Sequence, residues 1–414
     1  MHVSGRGATR TLTFAAAAIL GAAAITGCGI GSSASASASP SHAATARPSA
    51  STSAAAVSPS LAVSPSPKQV GAFTAAGSTQ VPRYNAALLA DGRVLMVGGS
   101  DGFGRAVASG ELFDPKSGKL AATPLMTATR LDPSVTVLHD GRVLIAGGRD
   151  NTTTPQTSAE LFDPVSGTFT ATGSMTFARA GAVSLLLDSG DVLVLGGSDP
   201  SGAAIGVAEL YNPKSGKFRQ TGSLMQARTA FGAAELSDGR VLVVGGCCTA
   251  AGLPFTSAEI YDPAAGAFQS IGSMSVGRRS PALVRLPDNR IFIAGGDLAN
   301  LNALSEPSSS IEVFDPLTRS FTEIGALRSA RAGAVAVVLP DSNVLVVGGA
   351  ADRSAEIYDP SPNYDLSKGD SFATGPMTAT RYGTPAVVTL QDGRVFVAGG
   401  GLGPDAKSVE LYQP

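Results

Sequence analysis

Residues 238–246 read Asp-Gly-Arg-Val-Leu-Val-Val-Gly-Gly, which is a turn, a run of four apolar residues and a glycine pair. This pattern occurs seven times along the 414-residue chain, and successive pairs lie 49, 49, 49, 50, 53 and 51 residues apart. The second glycines of the pairs are Gly99, Gly148, Gly197, Gly246, Gly296, Gly349 and Gly400. Recurrence at a period near 50 residues predicts a chain built from stacked copies of one supersecondary unit.

Each period reads as four β-strands. The first two, such as Gly181 to Leu187 and Val192 to Leu195, are apolar at nearly every position, which indicates strands buried on both faces. An Asp-Gly-Arg turn joins them in four repeats and predicts a tight hairpin. The third strand alternates, and the fourth, such as Phe169 to Gly173, is the most polar, as an outer edge strand should be.

The glycine pairs, the Glu-apolar-aromatic-Asp-Pro strand and an arginine before each first strand resemble the kelch family, which includes the galactose-oxidase-type propellers. The resemblance covers roughly Gly71 to Pro414. It implies an all-β fold, a β-propeller of seven four-stranded antiparallel blades around a central channel. The chain has no tryptophan, which the family often carries on the outer strand; the residues that stand in its place are Phe169, Phe218, Phe268, Phe321, Phe372 and, in one blade, Leu120.

The two ends of the repeat region are complementary. The last repeat, Ser408 to Pro414, stops after a third strand, and the first strand-like segment, Phe73 to Gly77, reads as a fourth strand. Phe73 precedes Arg83 by ten residues, the same gap as Phe169 to Arg179. We therefore expect the N-terminal strand to complete the C-terminal blade and close the ring.

Residues 1–27 read as an export signal: two arginines precede an uncharged apolar stretch, Leu12 to Ile25, that is short for a membrane span. The stretch leads directly to Cys28, as in the lipobox of bacterial lipoproteins, so we expect Cys28 to carry lipid on the outer face of the cell membrane. An ordinary secretory signal is the alternative. Residues 28–70 are rich in Ser, Ala and Pro and are expected to form a disordered tether to a propeller at 71–414.

The net charge of −2 leaves no basic surplus to neutralise phosphates, which argues against nucleic acid as a partner. Only three cysteines occur, so no disulfide framework is expected. For the adjacent Cys247 and Cys248, a vicinal disulfide, two free thiols and a bond to another chain all remain open. We expect a monomer without cofactors or metals, in contact with the membrane only through its lipid.

The topology separates two faces. The turns between first and second and between third and fourth strands are short and uniform; we call their side the uniform face. The loops on the opposite side, the variable face, differ in length, and binding residues tend to lie on such loops. The candidates for binding a protein or glycan ligand there are Asp101, Arg105, Arg149, Asp150, Asn151, Asp199, Cys247, Cys248, Asp297, Asn300, Asp352 and Arg353. The alternative for each is a solvated loop residue.

Copper-radical chemistry, known in galactose-oxidase-type propellers, is argued against by histidine content. His139 is the one histidine in the repeat region, at a turn on the uniform face, and one imidazole cannot build such a site or a hydrolytic triad. No catalytic residue is therefore predicted. We expect non-catalytic recognition; the alternatives are an enzyme that acts on polysaccharide through acidic residues and a structural envelope component.

Each repeat also carries one arginine before its first strand and one glutamate at the start of its third. The glycine pair between them leaves room for the two side chains to meet, so we expect structural ion pairs and not a ring that binds anions. The arginines are Arg83, Arg130, Arg179, Arg228, Arg278, Arg331 and Arg381. The glutamates are Glu111, Glu160, Glu209, Glu259, Glu312, Glu356 and Glu410.

Overall fold

The computed structural model describes residues 71–247, 252–299, 305–360 and 370–414. The export signal, Cys28 and the tether lie outside the described residues, as do Cys248 and Asn300. The described part contains seven four-stranded antiparallel sheets. The chain is thus all-β with seven blades in a ring, as the sequence predicts. Blades 1 to 7 are numbered here from the one that contains Arg83 to the one that contains Arg381.

The strands of each blade follow one another from the axis outward. The innermost strands are β2 (Ala87–Leu88), β6 (Ser134–Val137), β10 (Val183–Leu186), β14 (Gly232–Glu235), β18 (Ala282–Arg285), β22 (Val335–Val338) and β26 (Ala386–Thr389). The second strands are β3 (Val94–Val97), β7 (Val143–Ala146), β11 (Val192–Leu195), β15 (Val241–Val244), β19 (Ile291–Ala294), β23 (Val344–Val347) and β27 (Val395–Ala398).

The third strands are β4 (Gly110–Asp114), β8 (Ala159–Asp163), β12 (Val207–Asn212), β16 (Ser257–Asp262), β20 (Ser308–Asp315), β24 (Ala355–Asp359) and β28 (Ser408–Gln413). The outer strands are β5 (Lys119–Ala122), β9 (Thr168–Ala171), β13 (Lys217–Ser223), β17 (Ala267–Ser273), β21 (Ser320–Arg331), β25 (Asp370–Ala373) and β1 (Ala72–Ser78). The short 3₁₀ helix Gly403–Lys407 precedes β28.

The innermost strands contact one another in a closed circle, with β26 next to β2. The N-terminal strand closes the last blade as the sequence predicts: β1 pairs antiparallel with β28, with Phe73 opposite Tyr412. The rings of these two residues lie 4.9 Å apart. The last blade therefore has four strands like the others, and its third strand β28 is not left as an exposed edge.

The hydrophobic core lies between neighbouring blades. All four residues of every second strand are buried, and each apolar cluster combines side chains from two adjacent blades. On the outer strands, phenylalanine packs against the aromatic residue of the third strand, as Phe218 does against Tyr211 at 4.8 Å. Blade 6 departs from this expectation: its outer strand is shifted by one residue, so Phe372 lies opposite Ile357 and not opposite Tyr358.

The glycine pairs do more than leave room for side chains. Gly147 has φ of 64°, and a Cβ there would lie 2.4 Å from the carbonyl oxygen of Arg179 in the next blade. The amide of Gly148 donates to that same carbonyl at 2.9 Å. The pair is therefore a contact point between blades, and glycine is required because L side chains disfavour this φ and no space remains for one.

Candidate functional site

The seven predicted arginine–glutamate pairs are all present, and every one of these arginines is fully buried. The N–O distances are between 2.6 and 3.1 Å. In each blade the arginine Nη1 also donates to the carbonyl of the first glycine of the pair. The glutamate accepts a backbone amide from the loop that leads in from the preceding blade.

These arginines hold the variable-face end of each blade together and are not available to an anionic ligand. Burial lowers the pKa of Arg228, and the charge and hydrogen bond of Glu259 oppose that effect. In every blade the Nη1 and Nη2 donors are directed at protein oxygens, although the Nε atoms of Arg179, Arg278 and Arg381 have no partner among the described residues. A buried charge paired in this way is a structural element. The alternative of an anion-binding arginine ring therefore has no support in the geometry.

Most of the loop aspartates that the sequence singles out bind their own loops. Asp150 accepts from the amides of Thr152 and Thr154, at 2.8 and 2.9 Å. The same arrangement recurs at Asp101, Asp199 and Asp352, each of which accepts from amides two or four residues later. Such turns need the carboxylate to stay with its own backbone, which gives these residues a local structural role.

Two of the remaining candidates, Arg149 and Asp297, belong to a second set described below, and the other described ones fall into two groups. Arg105, Asn151 and Arg353 are exposed on the outer parts of the loops. Cys247 is buried and disulfide-bonded, which excludes a free thiol at this residue. Its partner lies outside the described residues. The structure thus does not gather the predicted loop residues into one cluster.

A second set of residues lies closer to the axis. We call the arginines of the seven buried pairs the ring arginines. The inner ring consists of the two residues after each ring arginine and the one residue after each glycine pair. These positions pair with each other by backbone hydrogen bonds, as Leu131 does with Arg149 at 2.7 and 2.8 Å. They also bond from blade to blade, because the amide of Gly181 donates to the carbonyl of Asp132 at 3.1 Å. The inner ring therefore forms the variable-face opening of the channel.

Blades 1 to 3 place a polar cluster on this inner ring. Asp132 of blade 2 is half-buried and has φ of 53°, a left-handed conformation that aspartate tolerates better than most residues. Burial raises the pKa of Asp132 to about 6, while the positive charge of Arg149 acts to lower it. Arg149 reaches across to blade 3, where its Nη2 donates to the Ser198 hydroxyl at 3.3 Å. Burial raises the pKa of Tyr84 in blade 1, a hydrogen bond with Ser100 opposes this, and the negative charge of Asp132 adds to the rise.

Blade 5 contributes a closed ion pair to the same ring. Arg279 Nη2 donates to Asp297 at 2.6 Å. Burial acts to raise the pKa of Asp297, but the amides of Glu306 and Ala299 and the charge of Arg279 outweigh it, so the pKa lies below its usual value. The carboxylate of Asp297 is thus already bonded within the protein. The inner ring has no second carboxylate whose pKa is raised by burial like that of Asp132.

Sequence reasoning missed Asp132, Arg279, Tyr84 and Tyr382. A signal was present, because alignment of the seven repeats on the ring arginine puts Asp132 where three other blades have glycine. A residue that replaces glycine at a left-handed position accepts a conformational cost. Ala230 and Ser280 accept it at the equivalent positions too, but among the three only Asp132 carries an ionisable side chain. Comparison of the repeats by loop length alone directs attention to the outer loops instead.

Exposed apolar side chains are distributed unequally between the faces. Among the described residues, six of the eight large exposed ones lie on the variable face: Phe103, Leu125, Met225, Leu253, Tyr382 and Leu402. The uniform face holds Val165 and Leu317. Each lies in a turn between a third and an outer strand. Exposed apolar surface that is concentrated on one face is typical of an interaction surface.

On the uniform face, hydrogen bonds between turns link neighbouring blades. Arg142 pairs with Asp140 of its own turn at 2.7 Å and donates to the carbonyl of Pro213 in the next blade. Arg394 of blade 7 makes the equivalent contact with Pro115 of blade 1. These contacts link neighbouring blades and explain why the Asp-Gly-Arg turn recurs. His139 is exposed in one of these turns.

The described residues hold neither a metal-binding cluster nor a membrane-spanning helix. No group of three or more His, Cys, Asp or Glu side chains there is arranged to hold a metal ion. In the same part of the chain, no helix has the length and apolarity needed to cross a membrane.

Comparisons with known proteins agree with the architecture. The Kelch motif matches residues 132–176, 228–275 and 278–328. A solved structure described as "Structure of YjhT" is similar, with a TM-score of 0.56 and 14% identity; the match covers 71% of this chain and 99% of that one. A search of curated proteins gives no match. The chain is therefore a propeller with kelch motifs, and at this identity the structural likeness concerns the fold alone.

Proposed function

We propose that this protein is a non-catalytic recognition propeller that binds a carbohydrate or protein ligand on its variable face. We further propose that it is exported as a monomer and held at the outer side of the cell membrane by lipid on Cys28. The motif supporting the lipid is the cysteine directly after the uncharged apolar stretch. The Ser/Ala/Pro-rich segment 28–70 would then serve as the tether.

The observation that carries the binding proposal is the asymmetry of the two faces. In the part of the chain that the structure describes, the variable face has most of the exposed apolar side chains, and it has the inner ring with Asp132 and Arg149. The uniform face uses its charged residues in turn contacts between blades. A rigid scaffold that presents irregular loops and unsatisfied polar groups on one side is the common design of a binding protein.

The test is a glycan array and a protein pull-down with the full chain and two variants. Tyr382→Ala removes a side chain that is 49% exposed on the variable face, and Leu317→Ala removes one that is 95% exposed on the uniform face. We expect specific capture of a glycan or protein that Tyr382→Ala weakens and Leu317→Ala leaves unchanged. The reverse pattern, or no specific capture, contradicts the proposal.

One observation favours an enzyme as the second candidate. The carboxyl group of Asp132, with its pKa raised by burial to about 6, has the property of a general acid near neutral pH. An enzyme of this kind would cleave or rearrange the captured glycan. Release of new reducing ends by the wild-type protein, lost in Asp132→Asn, would favour it over recognition alone.

A further inference from the structure

We propose that the polar cluster of the inner ring in blades 1 to 3 binds an uncharged sugar ring through its hydroxyl groups. This inference rests on the proposed binding function and specifies its site and its ligand class. The residues involved are Asp132 and Arg149 as the polar contacts, with Tyr84 of blade 1 and Tyr382 of blade 7 as the apolar side of the opening.

The hydrogen-bonding capacity of the two charged groups is the first argument. An ionised carboxylate only accepts hydrogen bonds, and a guanidinium only donates them. Asp132 has no hydrogen-bond partner for its carboxylate among the described contacts, and Arg149 has one, the Ser198 hydroxyl. A sugar hydroxyl both donates and accepts, so a pair of neighbouring hydroxyls can satisfy both groups at once.

The charge balance of the inner ring is the second argument. Its charged residues are Asp132 and Arg149 in blade 2 and the ion pair of Arg279 with Asp297 in blade 5, so positive and negative charges are equal in number. The ring arginines beneath them are fully buried and paired with glutamates. For an anionic ligand, attraction to Arg149 is offset by repulsion from Asp132, and the reverse holds for a cationic one. A net charge on the ligand therefore brings no advantage, and a neutral ligand is the best match.

The apolar surroundings are the third argument. Tyr382 and Tyr84 follow ring arginines in adjacent blades, whose innermost strands β26 and β2 are neighbours. Leu402 of blade 7 and Phe103 of blade 1 are exposed on the loops of the same sector. The C–H face of a sugar ring is apolar, so an aromatic and apolar side next to a donor and an acceptor suits both sides of the ring.

The side chain of Asp132, more than its backbone conformation, distinguishes this position from its equivalents in other blades. The equivalent positions in blades 3 and 6 are Gly181 and Gly333, which adopt the left-handed conformation without cost, whereas Ala230 and Ser280 in blades 4 and 5 adopt it with φ of 51° and 45°. Asp132 adopts it with φ of 53°. Its side chain adds an ionisable group to a site where that group gains no hydrogen bond from the protein, so nothing in the fold itself requires aspartate here.

The experiment uses saturation-transfer NMR on the full chain with glucose, galactose, mannose and N-acetylglucosamine as probes. Glucuronic acid and glucosamine serve as anionic and cationic counterparts. We expect at least one neutral sugar to bind, and its charged counterparts to bind at least five-fold more weakly. Binding of none of the neutral sugars, or preference for a charged one, overturns the proposal.

Variants then locate the site. Asp132→Asn and Arg149→Gln should each raise the Kd of the bound sugar at least ten-fold, because each removes a charge-assisted hydrogen bond. Asp140→Asn, the same substitution in the same blade on the uniform face, should change it less than two-fold. Unchanged affinity in both folded inner-ring variants overturns the inference, whereas the binding function itself stands if Tyr382→Ala still weakens capture on the array.

Discussion

Replacement of Arg228 by alanine should destabilise the propeller more than any surface substitution. Arg228 donates to the carbonyls of Gly245 and Ser257, at 2.7 and 3.1 Å, and to Glu259 at 2.7 Å. Without it, Glu259 keeps its two amide donors, from Met225 and Gln226, but loses its counter-charge in a buried site. Removal of one partner from a buried pair costs about 3 to 5 kcal/mol.

The corresponding fall in Tm follows from the size of the domain. Unfolding entropy of about 2.1 cal/mol/K per residue gives roughly 0.7 kcal/mol/K for a domain of roughly 340 residues. The expected decrease in Tm is therefore about 4 to 7 °C, measured by calorimetry. Arg240→Ala is the matched control, because Arg240 forms a partly exposed pair with Asp238 in the same blade. Such pairs contribute about 0.2 to 1 kcal/mol. Equal shifts in the two variants would refute the structural role of the buried pairs.

Three further predictions follow from the same structure. Deletion of residues 71–78 should abolish cooperative unfolding or lower Tm by more than Arg228→Ala does, because β28 would lose its partner strand; a native-like melt after the deletion would contradict ring closure by β1. Burial raises the pKa of Asp132 from 3.8 to about 6, so folding binds an extra proton between these pH values, and stability falls as pH rises through them. Asp132→Asn should therefore stabilise the protein by roughly 1 to 3 kcal/mol at pH 7.5 and by less at pH 4, as measured by denaturant titration; destabilisation at pH 7.5 would contradict a strained functional carboxylate. Finally, Cys28→Ser should release the protein from membranes or leave its precursor uncleaved, and unchanged fractionation would exclude lipid attachment.

Repetition explains why so much of the fold could be predicted from the sequence. The seven glycine pairs occur at nearly one period, so the strands assigned in one repeat can be checked against the other six. The ring closure followed from one gap, the ten residues from Phe73 to Arg83, matched in other repeats. The ion pairs could be predicted because an arginine, a glutamate and a glycine pair recur together in each blade, which is the pattern of a structural element.

The candidate site was harder to predict for a physical reason. Function in a repeat fold lies in the exceptions to the repeat, and most exceptions are neutral variation in exposed loops. Asp101, Asp150 and Asp199 looked like candidates because they are polar and lie in variable loops, yet they bind their own backbone. Asp132 stood in an inconspicuous Leu-Asp-Pro sequence. Only the blade-to-blade geometry shows that it lies near Arg149 and Tyr84 at the opening.

The central claim, that ligand is bound at the variable face around the inner ring, is tested most directly by hydrogen–deuterium exchange. The full chain would be measured with and without a glycan that it captures on the array. We predict slower exchange in the inner-ring segments 130–133 and 148–156 of blade 2. The turn segments 138–142 and 163–168 of the same blade, on the uniform face, should exchange at unchanged rates. Protection confined to those turns, with none at the inner ring, would contradict the account.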